Sequence, residues 1–489
     1  MPFKTLQSAY PKDDDLPLRA FRLSALRRVI DGTLYDELPH PFHTEKSDAG
    51  EYVPLRDRRP SVRYALCRLV VDDSVSMLFS EGHFPGVDCE DEATKDALVQ
   101  VIKESALNEV MIDAATRGSV GSVAVMFRVI EGRVFFEVME TEYLTPTWNP
   151  KAPDKLLMVT ERYKVKGKTL AAAGYPINGD DLQTDYWFQR IWDASAETWF
   201  VPQKITEAKA PSVDTGRTVT HPLGFVPVVW VRNLPGGDKI DGACTYPPEA
   251  IDANIEIDYL LSQGGRGLKY SADPTLLIKE PATGSDGSMI RGAGNAITVG
   301  PDGDAKMLEI NGTATQALMD YVRMVRELAL ESAHGNRANA DKISAAQSGR
   351  AQEMLNQSLI WLADKLRISY GEGALLSLLT MVVTASEKIS LTFKDGSKAG
   401  KLAKDKTLAL RWPAWYAATA SDRQSEATTL NTLKNAGVIS QETAVKTIAP
   451  EYDIEDPAAE IVRIGQDRTT ELELLAATTA ATSQVKVQE

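Results

Sequence analysis

The sequence predicts an α+β protein with several domains in an elongated arrangement. Its 489 residues are more than one hydrophobic core usually organises. Segments rich in β-formers, separated by short turns, fill much of residues 122–231, whereas helical periodicity dominates beyond residue 247. The apolar fraction of 43% and the charged fraction of 25% are those of ordinary folded proteins, which argues against extensive disorder.

The charge balance limits the possible partners. The chain has 54 Lys and Arg against 68 Asp and Glu, a net charge of −14. A protein that binds nucleic acid by neutralising many phosphates needs an excess of basic residues, so that class is disfavoured. Cys67, Cys89 and Cys244 are scattered and form no CxxC pair, which predicts neither a disulfide framework nor a cysteine zinc site and favours a reducing compartment.

No membrane span or export signal is expected. The most apolar run, Leu375–Val383, contains Ser377 and Thr380 and is far shorter than the roughly 20 residues that a spanning helix needs. The first residues lead directly into the charged Lys12–Asp15 segment without an apolar stretch of secretory length.

The first half of the chain reads as an arm followed by an α+β domain. Residues 1–60 mix proline, charge and aromatic residues and are predicted to form a loosely packed N-terminal arm. Residues 61–246 form the α+β domain, in which Ile130-Glu131-Gly132 predicts a hairpin turn. Its predicted helices cover 61–80 and 91–116, and its predicted strands cover 122–129, 133–139, 155–165, 186–192, 198–203 and 228–231.

A helical hairpin with a β-rich insert is predicted next. Pro247 and Pro248 suit the first turn of a helix over 247–273, because a missing N–H costs nothing there. Residues 274–312 contain short β-prone pieces in glycine-rich loops. A second helix over 313–333 has Leu318, Val322, Val325 and Ala329 at helical spacing.

The remainder is predicted to be mainly helical. A polar loop at 334–347 precedes a long helix at 348–386, and Gly371 with Gly373 predicts a kink in it. Residues 387–420 are predicted to hold two strands, near 388–393 and 407–412, with a lysine-rich loop between them. Residues 421–489 form a helical tail.

Motifs of catalysis and cofactor binding are absent from the sequence. It contains no phosphate loop of the GxxxxGK[ST] type, no HExxH and no GxSxG. We therefore expect no catalytic residues, no cofactor-binding residues, no cofactor and no metal ligands, and we expect that the protein is not an enzyme.

Two charged patterns have a functional as well as an ordinary interpretation. Glu249, Asp252 and Glu256 share one face of the predicted helix. This face is either an ordinary solvated surface or an acidic channel lining that repels a passing polyanion and so does not bind it tightly. A basic loop is either a solvated turn or a phosphate contact. Its members are Lys394, Lys398, Lys401, Lys404 and Lys406.

The succession of segments resembles the portal proteins of tailed double-stranded DNA bacteriophages, the siphophage-type head-to-tail connectors. Gly224–Asn233 is similar to the segment before the first stem helix of that family, and Ser348-Gly349-Arg350-Ala351 resembles the opening of its long tunnel-side helix. Trp412-Pro413 and the stretch 421–464 resemble its passage from wing to crown. The resemblance covers residues 60–468, and its strength lies in the order of short motifs.

The resemblance implies a portal fold assembled as a ring. Residues 61–246 would be the wing, 247–273 and 313–333 the stem helices, 274–312 the α/β clip, 334–347 the tunnel loop and 421–489 the helical crown. Asn336, Arg337 and Lys342 would lie next to double-stranded DNA. The DNA would pass through the ring without sequence-specific binding. A ring of twelve chains, the number typical of that family, at −14 each would carry −168.

The implied role is structural. The ring would occupy one capsid vertex, let DNA in during packaging and out during ejection, and dock the terminase large subunit and head–tail adaptors. The major capsid and scaffolding proteins would be further partners, and the ring would assemble in the host bacterial cytoplasm and reside in the virion. The residues leave two alternatives open: a carboxylate-dependent hydrolase, and a virion scaffold or adaptor without a channel.

Overall fold

The computed structural model shows a mixed helical and sheet protein with two compact units. The structure describes residues 2–207, 209–272, 275–281, 299–308, 312–335, 353–354, 356–416, 419–449, 452, 454 and 456–485. The main unit comprises the described residues within Met1–Asn339 and Leu355–Trp415. The small unit comprises those within Ala340–Met354 and Tyr416–Glu489. The α+β class predicted from the sequence is confirmed.

The main unit contains helices α1 to α10. They are α1 Phe3–Gln7, α2 Leu18–Ile30, α3 Leu66–Phe79, α4 Glu92–Glu104, α5 Leu107–Gly118, α6 Gly167–Ala172, α7 Pro248–Ala272, α8 Gly312–Ser332, α9 Gln357–Leu366 and α10 Leu376–Ser386. A π-helical segment, Arg367–Leu375, joins α9 to α10. The helices predicted at 247–273 and 313–333 are thus confirmed as α7 and α8.

The main unit also holds the strands β1 to β15. They are β1 His40–Pro41, β2 Arg58–Arg59, β3 Gly86–Cys89, β4 Ser122–Ile130, β5 Arg133–Glu140, β6 Leu144–Asn149, β7 Ala152–Lys166, β8 Asp185–Trp192, β9 Ala196–Trp199, β10 Gln203–Lys204, β11 Val219–Thr220, β12 Val228–Arg232, β13 Thr275–Pro281, β14 Val299–Leu308 and β15 Leu408–Arg411.

Two antiparallel sheets dominate this unit. One has the strand order β12-β4-β5, and the other has the order β11-β9-β8-β7-β6 with β10 paired to β8. The predicted hairpin between β4 and β5 is confirmed: Ile130 pairs with Arg133, and Glu131 and Gly132 both have positive φ, as a tight hairpin turn requires. The smaller pairings are β13 with β14, β15 with β3, and the parallel β1 with β2.

Strand β4 is the centre of the core because it is buried on both faces. Val123, Val125 and Phe127 join the main hydrophobic cluster with the helices, whereas Ala124 and Met126 face the second cluster with Trp192 and Trp230. Alternating residues of a strand point to opposite faces, so a strand covered on both sides reads as one apolar run. This accounts for the sequence Val-Ala-Val-Met-Phe.

The expectation that residues 1–60 form a loosely packed arm is wrong. Leu6, Leu23 and Tyr35 are buried in the main hydrophobic cluster, and α2 packs on α3. The apolar residues of this segment lack a regular period. Their burial depends on distant partners and could not be predicted from the segment itself.

The secondary structure also differs from the prediction in one helix and in one strand. The single helix expected over 91–116 is two helices, because Ala106 takes a left-handed conformation (φ 51°) between α4 and α5. The strand expected near 388–393 is not a strand; Thr392 makes one isolated antiparallel bridge with Lys398. The buried side chains of Leu391 and Phe393 belong to the main hydrophobic cluster.

The long helix continues through the predicted kink. Gly371 and Gly373 lie in the π segment, where hydrogen bonding shifts by one residue without a break. Gly371 lies directly against the Trp412 indole, which leaves no room for a Cβ atom. The glycine therefore serves a close approach between the helix and the segment after β15.

One described helix, Gln357–Ser386, is long and apolar enough by composition to cross a membrane. Half of its most apolar window is buried inside the unit, around Tyr370, Leu375 and Leu379. A core helix passes the same test, and this helix packs as one.

In the described part of the small unit, residues 419–485 contain three named helices. They are α11 Ala420–Asn435, α12 Gln441–Ile448 and α13 Pro457–Val485. Thr419 and Asp422 form a capping box at the start of α11, and the Ser440 hydroxyl accepts a hydrogen bond from the Thr443 N–H at the start of α12.

Candidate functional site

Helices α7 and α8 pack along each other as a hairpin that carries the β13–β14 ribbon. With 25 and 21 residues they span about 38 and 32 Å, at 1.5 Å per residue. Helix α7 continues through Gly264, Gly265 and Gly267. A Cβ on Gly264 would lie 2.8 Å from Leu318 Cδ2, so this glycine allows α8 to approach.

The outer side of α8 carries an apolar stripe that nothing in the described part of the main unit covers. Its inner side, with Val322 and Ala329, is buried as the periodicity predicted. Tyr321, Met324 and Leu328 are 44%, 50% and 59% exposed, respectively. Their i, i+3, i+7 spacing places them on one face of the helix. We call these three residues the α8 outer stripe.

A buried carboxylate anchors the middle of α7 to the chain before α3. Asp258 is 1% exposed and accepts hydrogen bonds from the Tyr35 hydroxyl at 2.7 Å, the Tyr64 N–H at 2.6 Å and the Asn254 amide at 3.0 Å. Burial raises the pKa of Asp258 to about 6 despite these donors. Because Asn254 Oδ1 accepts in turn from the Cys67 N–H, the network fixes α7 on α3.

The predicted acidic residues lie near the start of α7. Glu249 and Asp252 are exposed and Glu256 is half-buried, whereas Ile251 and Ile255 of the same helix are buried. The Phe3 N–H donates to Asp252 Oδ1 at 2.6 Å, so the first helix of the chain rests on this row. That these residues line a channel stays a prediction.

The basic loop is exposed and partly neutralised. All five lysines are exposed; Lys404 pairs with Glu387 and Lys406 with Glu90, both at 2.9 Å. The backbone N–H of Lys394 donates to Glu104. Lys398 and Lys401 have no ion-pair partner within the described ranges. The loop thus belongs to the main unit, and its contact with phosphate stays a prediction.

The predicted DNA-proximal residues Asn336, Arg337 and Lys342 lie outside the described residues. Of the predicted loop 334–347, the structure describes only His334 and Gly335. Of the predicted insert 274–312, it describes β13, β14 and the first residue of α8.

Sequence reasoning missed a charged cluster that joins α2 to the sheets. Asp241 is 1% exposed and pairs with Arg19 at 2.7 Å and Arg22 at 2.8 Å, and the Ser122 hydroxyl donates to it at 2.6 Å. No local signal identifies this cluster, because its members are spread over more than two hundred positions.

An aromatic clamp was also missed. The Arg367 guanidinium stacks 4.6 Å from the Trp412 ring centre and 3.2 Å from that of Trp415, and burial lowers the pKa of Arg367 to about 10. Tryptophan at 412 and 415 was visible in the sequence, but its partner in the long helix was not.

The described ranges contain no group of three or more His, Cys, Asp or Glu side chains arranged to hold a metal ion.

Comparisons with known proteins give one kind of match. No family model matches the sequence, and no curated protein matches it. Among solved structures, the chain is similar to one from a structure described as "Neck of empty GTA particle computed with C6 symmetry". The identity is 10%, the alignment covers 79% of this chain and 89% of that chain, and the TM-score is 0.41. At these values the similarity supports no functional assignment.

Proposed function

We propose that this protein is a non-enzymatic structural subunit of a ring that forms a portal channel in a tailed-bacteriophage-type particle. The α8 outer stripe is the observation that carries the proposal. Three large apolar side chains on one face of a helix, each near half exposed, lose the hydrophobic free energy that burial would supply. In this proposal a second copy of the chain covers the stripe, because a long helical hairpin can bury one face against its own partner helix and another face against a neighbouring subunit.

A ring needs two different surfaces on each subunit, one for each neighbour. The long helix supplies a second exposed apolar pair, Trp361 and Ile368, which are 55% and 68% exposed and seven residues apart. The α8 outer stripe and this pair lie on different helices, so they are two separate apolar patches, as a head-to-tail interface requires. The order of elements that resembles the portal family gives the same proposal independent support.

In this proposal the ring consists of twelve copies and occupies one capsid vertex of the virion. Double-stranded DNA passes through it without sequence-specific binding, inward during packaging and outward during ejection. The β13–β14 ribbon and the chain around it dock the terminase large subunit and later the head–tail adaptors. The outer edge of the ring contacts the major capsid and scaffolding proteins.

The mass and shape of the purified protein test this proposal. Twelve copies of the 53.5-kDa chain would weigh about 640 kDa, measurable by light scattering, with annular particles in negative stain. A compact monomer would overturn the proposal and favour a hydrolase, and a solid plate or filament would favour a scaffold without a channel.

A substitution separates the stripe from general surface effects. Leu328→Glu places a charge in the α8 outer stripe and should shift the protein from rings to monomers at micromolar concentration. Arg323→Glu is the matched control, since Arg323 is exposed on another face of α8 and pairs with Asp320. Rings that persist in Leu328→Glu would contradict the proposed interface.

A further inference from the structure

A cationic cavity of about 540 Å³ lies between the segment 41–63 and the second half of α7. Its volume is within the range of small-ligand sites. Four cations line it, Arg59, Arg63, Arg266 and Lys269, and its described lining includes no Asp or Glu. In a chain with a net charge of −14, this is a local reversal of sign.

Two of the four cations are already paired. The Arg63 guanidinium donates to the Gly32 carbonyl at 2.6 Å and lies 3.5 Å from Asp36, and Arg266 pairs with Glu45. Arg59 and Lys269, by contrast, have no hydrogen-bond or ion-pair partner among the residues that the structure describes. Two positive charges therefore remain for a ligand.

The wall that carries these cations is held in place. The buried Ser262 hydroxyl accepts from the Val62 N–H at 3.0 Å and donates to the Asp258 carbonyl at 2.7 Å. Arg58, which precedes Arg59, is 1% exposed and donates twice to the Val53 carbonyl. The backbone beneath Arg59 is thus fixed, which reduces the entropy lost on binding.

We propose that this cavity binds phosphate groups. A phosphate monoester carries about −1.5 to −2 charges at neutral pH, and two successive phosphodiesters carry the same, so either neutralises both free cations. A single carboxylate would neutralise only one. Guanidinium groups also match the paired oxygens of phosphate through two parallel hydrogen bonds. All the residues belong to one chain, so the site is independent of the proposed ring.

Calorimetric titration of the full-length protein with sodium phosphate, at constant ionic strength and pH 7.5, tests the proposal. Saturable binding is expected, weakened at least tenfold in Arg59→Gln/Lys269→Gln. Lys398→Gln/Lys401→Gln, which removes two exposed cations from the basic loop, is the control and should bind like the wild type. Lys269→Gln alone, at an exposed position, should weaken binding at least threefold if the double variant does not fold.

A 20-base-pair DNA duplex added as competitor identifies the source of the phosphate. If the duplex displaces phosphate, the ligand is the nucleic-acid backbone; if it does not, the ligand is free phosphate or a small phosphate ester. Either result supports the proposal. Absence of saturable binding, wild-type affinity in the double variant, or an equal loss in the control would overturn it. Binding of an acidic peptide without binding of phosphate would also overturn it.

Discussion

Asp258 should make the stability of the main unit depend on pH in a direction that can be measured. Burial raises its pKa from 3.8 to about 6 in the folded protein, so the folded state binds this proton more tightly than the unfolded state. The free energy of unfolding that Asp258 contributes is therefore greatest below pH 3.8 and falls as the pH rises through 6. A shift of about two units corresponds to a total of about 3 kcal/mol, of which about 2 kcal/mol is lost between pH 4.5 and 7.5.

The comparison with Asp258→Asn isolates this contribution. Asparagine keeps an oxygen for the Tyr64 N–H but does not titrate, so other titrating groups cancel in the difference between the two proteins. Urea unfolding followed by tryptophan fluorescence is the assay, because all 8 tryptophans lie at or before Trp415, in the main unit. The unfolding free energy of the wild type minus that of the variant should decrease by about 2 kcal/mol from pH 4.5 to 7.5.

A difference that is independent of pH, or that increases with pH, would refute the reasoning. Asp258→Ala provides a second check, since it leaves the Tyr35 hydroxyl, the Tyr64 N–H and the Asn254 amide without their acceptor. It should destabilise the main unit by at least about 3 kcal/mol at pH 4.5, where the charge itself matters little.

Four further substitutions test the packing of the main unit by the same unfolding assay at pH 7.5. Asp241→Ala removes the carboxylate that pairs with Arg19 and one of the two that pair with Arg22, and it should cost about 3–5 kcal/mol; a cost under 1 kcal/mol would show that the cluster does not hold α2. Tyr370→Phe removes the hydroxyl that donates to the fully buried Asn233 Oδ1 at 3.0 Å and should cost about 1–3 kcal/mol, and an unchanged stability would contradict that bond. Gly371→Ala drives a methyl group into Trp412 and should cost about 1–3 kcal/mol, whereas Gly267→Ala, in open space on α7, should stabilise by up to about 1 kcal/mol; equal effects at the two glycines would contradict the close approach.

The sequence was most informative where a local rule acts. The β4–β5 hairpin followed from two apolar runs around Glu131-Gly132, and α7 and α8 followed from prolines at a helix start and apolar residues at helical spacing. In both cases the residues that specify the structure are neighbours along the chain. The absence of catalytic motifs and the order of the portal-like segments could also be read directly.

Local rules were insufficient where a helix breaks without glycine or proline and where distant segments meet. No glycine or proline marks the left-handed turn at Ala106, and the packing of residues 1–60 depends on partners that lie far away in the sequence. The same is true of the Asp241 cluster and the Arg367 clamp. The charged and aromatic residues of the cluster and of the clamp are visible in the sequence. The sequence does not show which of them are brought together.

The sequence by itself determined the class of secondary structure, the helical hairpin with its ribbon, the net charge and the function to test. Only the tertiary structure decided which apolar residues of α8 face inward and which remain exposed, since both sets recur at the period of one helix. It also decided that Arg59 and Lys269 line a cavity without a carboxylate partner among the described residues, whereas Arg63 and Arg266 at the same cavity pair with Asp36 and Glu45. The reason is physical: periodicity is a property of the local backbone, whereas burial and charge pairing are properties of contacts between distant parts of the chain.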